Sequence, residues 1–239
     1  MTDALIFSAS FAAIALALAL AASRIDLRIT LAFGLLFAGY LGLDDLATAL
    51  GTLPAFNLIG GQWNWAGKIC SLLLAIAVIA AMRLDPRAVG LQRPQQKSAG
   101  ATVLTLLLLA ASVGLGLLFK PEAPSAETLA FQASMPALAE ELAYRGIAPA
   151  LLMGWLYGRR PESGIPWPVV TVSSTMFGLW HGLGFGDGGY SFAWLPALYT
   201  FIGSLAYGWM RFATGSLLFP VVAHALGNLV FQLSYLLRG

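Results

Sequence analysis

Apolar runs of about the length that crosses a bilayer recur about eight times along this chain, and that recurrence limits the fold more than any other feature. A hydrocarbon core of ~30 Å takes ~20 helical residues, and the backbone inside it must satisfy its own hydrogen bonds. The runs cover approximately residues 4–22, 29–43, 63–82, 101–118, 128–152, 169–183, 192–212 and 217–237. Hydrophobic residues make up 59% of the sequence and charged residues 10%, whereas a soluble domain carries about a quarter charged residues. The expected fold is all-α: a polytopic transmembrane helical bundle of about eight spans. A net charge of +2, scattered along the chain, gives no basis for a nucleic-acid partner. The single cysteine, Cys70, rules out an intrachain disulfide.

The first run ends in Ala21-Ala22-Ser23, as a cleaved signal would, but Met1-Thr2-Asp3 has no basic residue and the apolar run is long. A retained span is therefore expected. With the N-terminus outside and eight crossings, the inner loops hold Arg24, Arg28, Arg83, Arg87, Arg93, Lys97, Arg159, Arg160 and Arg211, and the outer side only Lys120 and Arg238. That bias predicts non-cytoplasmic termini in a bacterial-type inner or plasma membrane.

Residues 1–100 read as an N-terminal segment of three spans and a cytoplasmic loop, without motifs. Residues 101–239 read as a core of five spans. Asp44, Asp45 and residues 51–62 are expected in an outer loop that includes an interfacial helix, with Trp63 and Trp65 in the headgroup belt. Lys68 is expected to snorkel to the interface, and residues 84–100 to form a hinge.

The fifth run contains Ala137-Leu-Ala-Glu140-Glu141-Leu-Ala-Tyr144-Arg145-Gly146. Ionised groups at mid-span cost roughly 2.5–3.5 kcal/mol each, so an intramembrane cluster of this kind marks a functional site. Glu141 and Arg145 share a helix face and are expected to pair. Glu140 is rotated by about 100° from Glu141, without an obvious cation, and is free to exchange protons.

The only two histidines, His181 and His224, fall in later apolar runs, within Phe177-Gly-Leu-Trp-His181 and His224-Ala-Leu-Gly-Asn228. His224 and Asn228 share a face. Gly178, Gly182, Ala223, Ala225 and Gly227 flank them, as close helix approach requires. One carboxylate, two imidazoles and a carboxamide suit a hydrolytic site. Glu and His chains also build proton relays, so a proton-coupled transporter is an alternative, as is a scaffold that keeps the cluster for packing. His181 sits several residues nearer the outer face than His224, an offset in depth that a single site must absorb. Residues 184–189 match G-x-G-x-x-G by letter, but no βαβ context supports a nucleotide site; a flexible outer loop is expected. Ser173 and Ser174 lack a nucleophile elbow.

The ordered set Glu140-Glu141-x-x-x-Arg145, Phe177-x-x-x-His181 and His224-x-x-x-Asn228 resembles the motifs of the CPBP (CAAX protease and bacteriocin-processing, or Abi) intramembrane endopeptidases. The resemblance implies an eight-helix fold and cleavage of a membrane-associated protein or peptide, including CAAX-type prenylated ones, with lipid as the other partner. It implies that Glu140 activates water, His181 holds it, His224 and Asn228 stabilise the oxyanion, and Glu141 with Arg145 maintains the architecture. The family has been described both as metalloproteases and as glutamic proteases. No H-E-x-x-H is present, so no cofactor is the favoured expectation; a zinc alternative would use Glu140, His181 and His224 as ligands.

Overall fold

In the computed structural model, residues 1–57, 59–94, 96–155 and 164–238 are described. Helices α1 (Thr2–Ser23), α2 (Leu31–Leu50), α3 (Trp65–Ala81) and α4 (Ser98–Phe119) are followed by a broken span. That span consists of α5 (Ala126–Gln132), α6 (Met135–Glu141), a π-helical turn (Leu142–Ile147) and α7 (Ala148–Leu152). Then come α8 (Trp167–Gly182), strands β1 (Leu183–Gly186) and β2 (Gly189–Phe192), α9 (Trp194–Thr214), α10 (Leu218–Leu233) and a short 3₁₀ turn to Arg238. The expected all-α bundle is what forms. Four helical segments (Thr2–Ser23, Leu31–Leu50, Ser98–Phe119 and Leu218–Leu237) are long and apolar enough to cross a membrane by length and composition.

Side-chain caps set several starts. Thr30 accepts the Phe33 N–H ahead of α2, and Ser125 accepts the Thr128 N–H ahead of α5. Each satisfies one of the donors a helix leaves orphaned. Asn64 caps α3 through the Gly67 N–H and also donates to the Thr48 carbonyl at 2.9 Å. A Cβ on Gly67 would meet that carbonyl at 2.2 Å. The end of α2 and the start of α3 therefore touch backbone to backbone, which fixes where the first turns of α3 point.

Several boundaries differ from those expected. The second span does not stop at Leu43: α2 runs on to Leu50, so Asp44 and Asp45 are helical residues and not part of an outer loop. Their carboxylates are bearable there because hydroxyl and indole donors meet them. Ser71 donates to Asp44 at 2.6 Å, Ser8 donates to Asp45, and Trp180 Nε1 donates to Asp45 at 2.7 Å. Residues 51–64 form turns without an interfacial helix among the described residues. The indole N–H groups of Trp63 and Trp65 donate to Thr128 and Glu127.

The fifth span is broken. Pro149 offers no N–H to the carbonyl four residues back, Arg145, and the ladder is π-helical just before it. Ser173 Oγ donates to the Tyr144 carbonyl in this turn, which gives that hydroxyl a structural partner. The glycine-rich loop is a β-hairpin, with Leu183 opposite Phe192 and Gly186 opposite Gly189. Its two turn residues, Asp187 and Gly188, both have positive φ, at 51° and 74°, the backbone of a two-residue type I′ hairpin. Tyr190 on β2 meets Ser10 of α1, so the segment is paired and docked and is not a free loop.

The expected hinge at 84–100 is anchored as well. The Leu217 N–H donates to the Gly90 carbonyl, Ser216 Oγ to the Gln92 carbonyl, and Arg211 Nη2 to the Ala88 carbonyl at 2.8 Å. Leu84, Ala88 and Val89 are buried among the core side chains. The sequence pattern shows only the prolines and charges of this segment, and these buried apolar side chains are what hold it. Arg159 and Arg160 lie outside the described residues.

Candidate active site

The site is built where the broken span, α8, α9 and α10 meet the start of α3. Gly178 and Gly182 let α8 and α9 close: a Cβ on either would meet a backbone carbonyl of α9 or its N-terminal flank, Ala197 or Ala193, at 2.7 Å. Small residues make such contacts possible inside a bilayer. This draws the His181 side of α8 toward α9, while Tyr207 of α9 stacks on His224 of α10 at 5.5 Å between ring centroids.

Glu141 is fully buried, and Arg145 nearly so. Arg145 Nη1 lies 3.0 Å from Glu141 Oε1, off the direction of a good hydrogen bond, so this is an ion pair of charges more than of aligned dipoles. The guanidinium is held besides between the faces of Phe177, at 4.2 Å, and Tyr207, at 5.3 Å. A cation over two aromatic faces gains quadrupole attraction that strengthens on desolvation. The same Glu141 Oε1 accepts from His224 Nδ1 at 2.8 Å. That bond fixes the tautomer and directs Nε2 of His224 away from Glu141.

His181 is oriented the same way. Its Nδ1 donates to the Phe177 carbonyl at 2.9 Å, which leaves Nε2 available to the cavity. Phe177 lies between the two imidazoles, with centroids 4.4 Å from His181 and 6.4 Å from His224. The offset in depth anticipated from the sequence does not separate them.

Glu140 has a partner after all, contrary to the expectation drawn from its own helix. Lys68 Nζ lies 2.8 Å from Glu140 Oε1. Lys68 is 6% exposed, so it does not snorkel to the interface. Its ammonium also sits 4.6 Å from the Trp180 ring centre, on the indole that Asp45 anchors. The reason is tertiary: the backbone contact between α2 and α3 aims the first turns of α3 at α6. Lys68 could nonetheless have been found by elimination, since Arg145 serves Glu141 and, of the other two Lys or Arg residues within the apolar runs, Arg211 stands at the very end of its run. Two carboxylates and two cations balance the cluster.

The other oxygen, Glu140 Oε2, is buried and makes no hydrogen bond among the described residues. His224 Nε2 stands 3.9 Å from it, too far for a direct bond. Asn228 also makes no hydrogen bond among the described residues and is half-buried on the same wall. Glu140, His181, His224 and Asn228 all line one cavity of about 1040 Å³, together with Lys68, Trp180 and Tyr207. That volume is at the upper end for ligand pockets, which span roughly 300–1,000 Å³. Its other walls are mostly apolar, as with Leu115, Leu118 and Ile202.

Among the described residues, no three His, Cys, Asp or Glu side chains are grouped to hold a metal ion. Lys68 explains part of this, because an ammonium on Glu140 Oε1 occupies one face of the carboxylate and repels a second cation there.

Residues 123–230 match the family of Rce1-like proteins, described as type II CAAX prenyl endopeptidases. Over that segment the chain is similar to Rce1-like proteins. The matched segment agrees with the CPBP resemblance of the motifs, contains Glu140, His181, His224 and Asn228, and begins after Lys68. No curated protein and no solved structure matches the chain significantly. The Rce1-like match over residues 123–230 and the long apolar helices support an integral membrane protein.

Proposed function

We propose that this chain hydrolyses a peptide bond of a membrane-associated protein or peptide with Glu140 as general base. The observation that carries the reading is that Glu140, His181, His224 and Asn228 line one cavity. Water between Glu140 Oε2 and the histidines gives up a proton to Oε2 as its oxygen attacks the scissile carbonyl. The unpartnered Oε2 supports this, since a buried acceptor without a donor is costly unless a ligand or water completes it. Lys68 holds Oε1 and thereby presents Oε2 to the cavity. His181, fixed through Nδ1, keeps its Nε2 for the same water.

The tetrahedral oxyanion then needs donors. Asn228 supplies its amide N–H. His224 already directs Nδ1–H at Glu141, so a second donor at Nε2 is the imidazolium flanked by Glu141 and Glu140. Preorganised donors of this kind, aimed at developing charge in a site shielded from water, contribute more than the same groups in water. Arg145 balances Glu141 so that the carboxylate can hold His224 without leaving an unpaired charge.

The zinc alternative, with Glu140, His181 and His224 as ligands, is disfavoured by the Lys68 ammonium on Glu140 Oε1. Cleavage is expected to survive thorough chelation. Loss of activity on chelation, restored by zinc, would assign the reaction to the metal. CAAX-type prenylated proteins are what the Rce1-like description names, and they are one candidate class of substrate. The proposal as a whole is tested by Glu140→Gln, which should leave no new peptide termini in membranes that the unmodified chain cleaves.

A further inference from the structure

Hydrogen bonds between the connections sort the bundle into two ends. At one end, Glu127 accepts the N–H groups of Gln62 and Trp63, Tyr190 meets Ser10, and a Cβ on Gly116 would meet Ser234 Oγ at 2.1 Å. At the other end, residues 87–92 bond to Arg211 and to residues 215–217.

The cavity belongs to the first end. From a floor at Glu140 and His224 its lining rises to Thr48, Asn64, Phe119, Gln132 and Gln232, each within two turns of the helix end on that side. None of its lining residues lies in the connections at the other end. That other end is the basic one. Arg24, Arg28, Arg83, Arg87, Arg93 and Lys97 lie in its connections and Arg211 near the end of α9, against Lys120 and Arg238 at the cavity end. A Lys and Arg excess in short loops marks the cytoplasmic side.

We propose that the cavity takes its substrate from the extracytoplasmic side. The segment it receives belongs to an exported protein or peptide held at the outer leaflet, which sets aside cytosolic CAAX-type prenylated proteins as its substrates. The substrate class rests on the protease reading; the side of access stands on charge and geometry alone. Water for hydrolysis enters by the same mouth, while the connections at the basic end, packed with Leu84, Ala88 and Val89, close the opposite route.

The test uses the full chain in a Cys70→Ala background, with Glu122→Cys at the cavity end, Gln132→Cys and Gln232→Cys on the cavity wall, and Gln96→Cys at the basic end. Right-side-out spheroplasts are treated with a membrane-impermeant maleimide before and after lysis. Glu122→Cys, Gln132→Cys and Gln232→Cys should label before lysis as fully as after it, and Gln96→Cys only after lysis. The reverse pattern, or labelling of both ends from outside, would overturn the orientation. Labelling of Glu122→Cys with both wall positions protected would overturn access through this mouth. Labelling reads topology whether or not the protein cleaves anything, so its failure and that of the Glu140 mechanism are separate results.

Discussion

Lys68→Met should destabilise the protein by about 3–5 kcal/mol, the usual cost of leaving one charge of a buried pair without its partner. Lys68 and Glu140 meet at 2.8 Å with both side chains 8% exposed, so water screens the pair little. Glu140→Gln alone should carry a loss of the same kind, because it strands Lys68. In Lys68→Met/Glu140→Gln most of both losses should be recovered, since a neutral amide beside a thioether leaves no unpaired charge. Unfolding of the purified proteins by denaturant, analysed as a double-mutant cycle, reads this directly. A weak surface-type pair would instead give a coupling below ~1 kcal/mol, which would remove Lys68 from the account.

Asn228→Ala is expected to act in the opposite way, with little effect on stability and a large one on rate. Asn228 makes no hydrogen bond among the described residues and faces the cavity, so its truncation should stay within about 0.5 kcal/mol in unfolding. Losing one oxyanion donor typically lowers kcat by ~10²–10³-fold, or about 2.7–4 kcal/mol. A variant that cleaves at the unmodified rate would exclude Asn228 from the oxyanion site. One that loses stability and rate together would make it a packing residue.

How much of this was legible in the sequence depended on whether the signal was local. Hydropathy announced the helices, and the spacing of Glu141 and Arg145 announced their pairing, because both are properties of one helix. His181, His224 and Asn228 stood out because histidine is rare in this chain and each fell in an apolar run. Lys68, Asp44 and Asp45 are not legible in this way because their partners lie on other elements: Glu140 on α6, Ser71 on α3, and Ser8 and Trp180 on α1 and α8. A lysine one turn inside a span looks like a snorkelling residue until the backbone contact between Gly51 and Gly67 is known. The π-helical turn and the hairpin were hidden for a related reason: Pro149 and the Asp187-Gly188 pair were visible, but where the chain turned depended on what packed against it.

The claim that Glu140 performs the chemistry is tested most directly where its structural role has been offset. Membranes carrying the unmodified chain and membranes carrying Lys68→Met/Glu140→Gln, at matched amounts of folded protein, are compared for new peptide termini by mass spectrometry. Termini that appear with the unmodified chain and are absent with the double variant are the predicted result. Termini that appear with both, at the same rate, would contradict Glu140 as the base.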